Sequence, residues 1–152
     1  MPEHIPLVDR APERLRGRPT WLISRAYARA AGLLTEGFAQ DGAGLRSYHY
    51  RLLAALDQWG PASQAALGRS TGIDRSDVTA ALVNLEERGL VRRDVNTADR
   101  RRNIVSITPA GVRRLEALDG VVDEIQERLL APLSEGERSQ FMTLLRRIAG
   151  GD

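Results

Sequence analysis

Five arginines stand against two aspartates in RRDVNTADRRR, residues 92–102, while the 152-residue chain sets 22 basic residues against 20 acidic ones. Positive charge is therefore local rather than general. Residues 112–152, with six arginines and eight acids, make the contrast plain. Every basic residue is arginine. Each cationic contact thus carries a planar guanidinium whose N–H fork suits phosphate oxygens and the acceptor edge of guanine. A second group with recognition chemistry lies in GIDRSDVTAA. Arg75 is a bidentate donor, Asp77 an acceptor, and Ser76, Thr79 and Ala80 are short enough to approach a surface closely. The reactive side chains of enzymes are scarce. No cysteine is present, which removes disulfides, thiolate metal sites and thiol nucleophiles. The two histidines, His4 and His49, are too few for a histidine-rich metal site. There is no glycine-rich phosphate loop, no His-Glu-x-x-His and no nucleophile–base pair. Glu86–Glu87 and Glu124 with Glu127 read as solvated helix faces. The expectation is a protein that is not an enzyme and uses neither cofactor nor metal.

Helices must position these groups. At 42% hydrophobic and 28% charged the composition is globular, and the length suits one domain, or a small domain with helices shared with a partner chain. No apolar run reaches the roughly eighteen residues of a membrane span. The start, MPEHIPLVDRAPERLRGRP, lacks a signal-type apolar core and reads as a flexible tail over residues 1–19. A cytoplasmic protein without a membrane partner follows. From Thr20, a possible N-cap, Trp21, Leu22, Ala26, Ala30, Leu33 and Leu34 recur at helical spacing, and DGAG (41–44) ends that helix. Leu45, Tyr48, Leu52, Leu53 and Leu56 form the stripe of a second helix, stopped at Gly60-Pro61.

A short helix over Ala62–Arg69 follows, then a turn in which Gly72 supplies a positive φ. Asp74 is placed to cap a helix that ends at Arg88-Gly89, with Val78, Ala81, Leu82 and Leu85 as its stripe. This pattern is a helix-turn-helix. Residues 90–95 and 104–108 read as two strands around a polar tip, with Ile104 and Ser106 on one face and Val105 and Ile107 on the other. The hairpin completes a winged helix-turn-helix, and its tip is the arginine-rich stretch. A long helix over about 110–131 carries Leu115, Leu118, Val122, Ile125 and Leu129. A last one, capped by Ser134 with Glu137, carries Phe141, Leu144, Leu145 and Ile148. The fold class predicted is mainly α with a small β-hairpin wing. Residues 45–109 form the winged lobe, and residues 20–44 with 110–152 form a helical dimerisation region. One small lobe cannot cover the apolar stripes of the terminal helices. A two-fold homodimer would bury them and set two recognition helices roughly 34–36 Å apart, one turn of DNA.

In a helix-turn-helix the first turns of the second helix reach base edges in the major groove. That assigns base contacts to Arg75, Ser76, Asp77, Thr79 and Ala80: Arg75 to guanine, Asp77 to cytosine or to Arg75 itself, and Thr79 and Ala80 to a thymine methyl. For Asp74 a capping role is favoured. Ser63, Gln64 and Arg69 on the preceding helix suit phosphates, which position without specifying. Arg92 and Arg93 read as backbone contacts or solvated charges.

GIDRSDVTAALVNLEERGLVRR and DRRRNIVSITPAG together resemble the MarR (multiple antibiotic resistance regulator) family of winged helix-turn-helix transcriptional regulators, over residues 20–148. The resemblance implies a dimeric regulator of transcription, often a repressor, that binds double-stranded DNA and in many members is released by a small anionic aromatic effector. By its Asp-x-Arg wing pattern, Asp99 orients Arg101 into the minor groove, and Arg100 and Arg102 alternate toward phosphates. By its pocket between the dimer helices and the DNA lobe, Trp21, Arg25, Tyr48 and His49 are the ligand-lining candidates. A DNA-binding regulator that responds to no ligand, and a winged module that binds another protein, stay open. The operator, the regulated genes and the effector are not readable from the residues.

Overall fold

The computed structural model describes residues 10–95, 98–99 and 103–150. Its elements run α1 (Glu13–Arg16), α2 (Pro19–Asp41), α3 (Ser47–Trp59), β1 (Ala62–Ser63), α4 (Gln64–Thr71), α5 (Arg75–Glu87), β2 (Val91–Asp94), β3 (Ile104–Ile107), α6 (Pro109–Leu130) and α7 (Glu135–Ile148). The mainly helical class with a small wing sheet is as predicted. The chain forms two compact units. One is Thr35–Glu124; the other combines the chain up to Leu34 with the chain from Ile125 onward.

The core of the Thr35–Glu124 unit is aliphatic. Leu52, Leu53 and Leu56 of α3, Leu67 of α4, the predicted stripe Val78, Ala81, Leu82 and Leu85 of α5, and Val105 of β3 are all fully buried. Each such leucine contributes about 1.5–3 kcal/mol of burial. The sheet has one strand more than the predicted hairpin, in the order β1-β3-β2. Ala62 and Ser63, expected as the start of a helix, pair with Val105 and Ile104. A two-residue strand shows no periodicity in sequence, and its partners, Val105 and Ile104, are far away in the chain. β2 and β3 pair from Val91↔Ile107 to Asp94↔Ile104.

The base of the wing is closed by one hydroxyl. Thr108 Oγ1 accepts from the Gly111 N–H at 3.0 Å, capping α6, and donates to the Gly89 carbonyl at 2.7 Å. Pro109 then opens the helix, where its missing N–H costs nothing. Gly111 packs so closely that a Cβ would lie 2.1 Å from the Leu90 carbonyl oxygen. The Thr-Pro-x-Gly segment is therefore a cap, a helix start and a close approach in succession. Elsewhere in this unit Tyr50 of α3 donates to Asp119 of α6 at 2.8 Å. Burial, with that bond and the charges of Asp119 and Asp123, pushes its phenol up to about 12.

Several boundaries differ from expectation. α2 begins at Pro19, so Thr20 lies inside the first turn instead of capping it. Residues 13–16, expected as tail, form a helical turn. Asp74 occupies the N-cap of α5, but its carboxylate makes no capping hydrogen bond. It still sits at the positive end of the helix dipole. In the terminal unit the capping box is as predicted: Ser134 Oγ accepts from the Glu137 N–H, and Glu137 Oε2 accepts from the Ser134 N–H. The last carbonyls of α6 are met by arginines. Arg29 donates to Leu129 and Arg128, and Arg138 to Leu130 and to Leu133 just beyond the helix, while pairing with Glu127. Both cations complement the negative end of that helix. Phe141, Leu144, Leu145 and Ile148 of α7 remain exposed, as do Leu22, Ile23 and Tyr27 of α2.

Candidate nucleic-acid interface

The first turns of α5 present Arg75, Ser76, Asp77, Thr79 and Ala80 to solvent, with Val78 fully buried among them. One face of the helix is fixed in the core and the opposite face is offered outward. Gly72, left-handed at φ 67°, makes the turn that leads from α4 into α5. A groove of ≈ 690 Å³ gathers Ser63, Gln64, Arg69, Arg75 and Asn103.

The hydroxyls and amide of this surface are partly committed within the protein. Ser63 Oγ accepts from the Ala66 N–H at 3.2 Å as the N-cap of α4, which leaves its O–H free to donate. Gln64 Nε2 donates to Thr79 Oγ1, and Thr79 donates in turn to the Arg75 carbonyl at 2.9 Å. Gln64 is thus a brace between the two helices as well as a contact candidate. Thr79 keeps its methyl for an apolar contact. Asn103 was given no role in the sequence, where it stands between the arginines of the tip and the alternating run of the return strand. Its Oδ1 is buried with no hydrogen-bond partner, an unmet acceptor in the wall of the groove.

At the wing, Asp99 is half-buried, and Arg100, Arg101 and Arg102 lie outside the described residues. Arg92 pairs with Asp94 at 3.4 Å on the surface. Arg93 departs from its reading as a backbone contact or solvated charge. It is half-buried and pairs with Glu86 at 3.1 Å, tying β2 to α5. The turn at Gly89, which lays β2 back against α5, brings these two residues together.

Of the four ligand candidates, Trp21 and Arg25 belong to the terminal unit and Tyr48 and His49 to the Thr35–Glu124 unit. Trp21 and Arg25 line one of ≈ 250 Å³, with the guanidinium 5.7 Å from the indole ring centroid. Trp21 Nε1 is buried and unpartnered. In the Thr35–Glu124 unit Tyr48 lines a groove of ≈ 450 Å³ with Phe38, Thr35 and Arg46. His49 is buried and acts at a helix start: its Nδ1 accepts from the Arg46 N–H at 2.9 Å. Burial, and then the charges of Arg88 and Arg46, lower its pKa from 6.5 to about 4, so the ring is neutral at pH 7. With Nδ1 accepting, the proton sits on Nε2. Among the described residues no cluster of acidic or histidine side chains could hold a metal ion, and no helix is long and apolar enough to cross a membrane.

A family model described as the MarR family matches residues 45–102, which take in α3, the helix-turn-helix and the first strand of the wing. The HTH-type transcriptional repressor NicR of Pseudomonas putida is 30% identical over 151 residues, which cover 99% of this chain and 94% of that protein. The chain belongs to the MarR family. Solved structures agree with this. A probable transcriptional regulator from Pseudomonas aeruginosa superposes with TM-score 0.75 at 35% identity, over 89% of this chain and 99% of that one. BpsR of Bordetella bronchiseptica, whose DNA binding is described as regulated by 6-hydroxynicotinic acid, superposes with TM-score 0.77 at 25% identity, over 93% and 100%. In this MarR-family chain, then, α4 and α5 are the helix-turn-helix and β2–β3 the wing.

Proposed function

We propose that this MarR-family protein is a transcriptional repressor that binds a pseudo-palindromic operator in double-stranded DNA as a homodimer. In this reading α5 enters the major groove and the wing enters the minor groove. The observation that carries it is the row of exposed short and charged residues on α5, Arg75 to Ala80, held outward by buried Val78 beside Arg69. Arg75 reads a guanine, Asp77 a cytosine or the Arg75 fork, and Thr79 and Ala80 a thymine methyl. Ser63, Gln64 and Arg69 hold the backbone. Asp99 braces Arg101 for the minor groove, where negative potential concentrates, and Arg100 and Arg102 meet phosphates. A DNA-bound role places the protein in the compartment that holds the DNA, the cytoplasm of a bacterium.

Dimerisation rests on the apolar face of the terminal unit. Leu22, Ile23, Tyr27, Phe141 and Leu145 border a groove of ≈ 580 Å³ and are exposed in one chain. Pairing of residues 20–44 and 110–152 with a second copy would cover it, leaving 45–109 as the DNA lobe. An effector that releases DNA, small, aromatic and anionic, is supported by the cation and ring in each ligand candidate pocket, Arg25 with Trp21 and Arg46 with Tyr48. His49 would act by holding the start of α3.

Selection of bound sequences from a random duplex pool tests the whole reading. A palindrome whose half-sites lie about one helical turn apart is expected. No enrichment would remove the DNA function and leave a protein-binding winged module. Adding 6-hydroxynicotinic acid and other hydroxylated aromatic carboxylates to the selected complex tests the effector. A complex that none of them weakens would make this a ligand-independent regulator.

A further inference from the structure

The recognition helix carries its base-reading residues at one end, and the other end is tied down by a residue with no part in that reading. Arg88 follows Glu87 at the C-terminal end of α5. Its Nε donates to Asn84 Oδ1 at 3.0 Å, within the helix. Its other two nitrogens leave the helix: Nη1 donates to the Ala43 carbonyl at 2.9 Å and Nη2 to the Gly44 carbonyl at 3.4 Å. All of these residues belong to the Thr35–Glu124 unit. The accepting turn, between α2 and α3, is tightly wound. Ala43 has φ 52°, the one positive value outside glycine among the described residues, and Gly44 has φ 81°. A Cβ added to Gly42 would stand 2.4 Å from the Phe38 carbonyl oxygen. A turn so constrained is a fixed point, and a guanidinium fork is the side chain able to hold two of its carbonyls and its own helix at once.

We infer that Arg88 is a positioning residue for DNA recognition, which sets the direction of α5 by joining its C-terminal end to the α2–α3 turn. Lever geometry gives the reason. A helix rises about 1.5 Å per residue, so Arg75 stands nearly 20 Å from this anchor. A tilt of about 5° there displaces the reading end by more than 1 Å, beyond the tolerance of a hydrogen bond to a base edge. The aliphatic core fixes the depth of the helix. The polar tie at its end fixes the angle. His49 lies close enough for the Arg88 charge to help lower its pKa, in keeping with a guanidinium held inward over the turn.

The inference rests on the DNA-binding reading, and the two fail separately. The probes are the duplex selected by the wild-type protein and a duplex of random sequence, titrated at several salt concentrations. Arg88→Ala is expected to weaken the selected duplex at least tenfold, to change the random one by under threefold and to keep the salt slope. Gly44→Ala alters no charge, but its Cβ would meet Arg88 Nη2 at 2.8 Å and displace the fork, while at φ 81° it also strains the accepting turn itself, so either end of the tie is disturbed. It is expected to reproduce the loss, and Arg88→Ala with Gly44→Ala together should be no worse than either alone. Arg88→Lys keeps the charge without the fork and should recover only part of the affinity, which guards against an alanine variant that folds poorly. Equal loss on both duplexes with a shallower salt slope would make Arg88 a phosphate contact and overturn the inference. Unchanged affinity, or additive losses in the double variant, would overturn it as well. A wild-type protein that selects no duplex would remove the DNA reading itself, and this inference with it.

Discussion

In the proposed reading, Arg75 and Arg101 divide the work of recognition between what is read and what is held. Arg75→Ala should relax preference at one position of each half-site, at a cost of about 1–3 kcal/mol on the selected duplex and little on random DNA. Competition titration checks it, and equal losses on both duplexes would make Arg75 a backbone contact. Arg101→Ala should weaken the operator complex and make its salt dependence shallower, since fewer counterions are released; an unchanged salt slope and affinity would remove the wing assignment. His49 has a different task. Its folded pKa, about 4, lies below the ordinary 6.5. Below pH 6.5 the unfolded chain therefore takes up a proton that the folded one refuses. Stability at this site is complete above pH 6.5 and declines as pH falls toward 4, by about 2 kcal/mol between pH 7.5 and 5. Urea titration of His49→Gln, which keeps an acceptor at the helix start without a titration, should show a smaller decline over that interval. An equal decline in both proteins would show that His49 is not the group responsible. At this scale the sequence was legible wherever one helix face decided exposure, as at Arg75, Ser76, Asp77, Thr79 and Ala80. Partnerships across the fold were not legible. Gln64 with Thr79, Arg93 with Glu86 and the unmet Asn103 oxygen depend on which segments meet in space, and no local spacing encodes that.

Among the elements, the junction of β3 with α6 concentrates the most consequence in the fewest residues. Thr108→Ala removes both the cap on Gly111 and the bond to Gly89, and should cost about 1–3 kcal/mol. Gly111→Ala should cost more, because the obstruction is backbone: the Leu90 carbonyl would have to move. Denaturant midpoints of the two variants test this order, and a Gly111→Ala protein as stable as the wild type would contradict it. The helices were legible because their stripes are long and regular; α5 buries the four residues its spacing picks out. Element ends were less so. Thr20 looks like a cap, yet Pro19 already has the backbone a first helical residue needs. β1 was invisible because two residues have no period, and only its pairing with β3 defines it.

For the whole molecule, the decisive feature is the apolar face that one chain leaves open. Leu145→Glu places a charge on it. If this face joins two copies, sedimentation at micromolar concentration should show the wild type as a dimer and the variant as a monomer, with affinity for the palindrome reduced at least tenfold; an unaltered sedimentation coefficient would move the interface elsewhere. Sequence periodicity located that face, since Phe141, Leu144, Leu145 and Ile148 recur at helical spacing. It could not tell whether the stripe would be covered within the chain, because coverage depends on the packing of segments distant in sequence. The hydroxyl of Thr108 has a consequence for the molecule as well. By joining residue 108 to residue 89 it closes the base of the hairpin, and the pairing of β2 with β3 then secures both ends of the tip. Doubling the loop at the wing tip then carries an entropic cost of only about 0.6 kcal/mol. On the proposed reading, a change of length or charge between Asp94 and Ile104 would alter the minor-groove probe while the paired strands that carry it stay as they are.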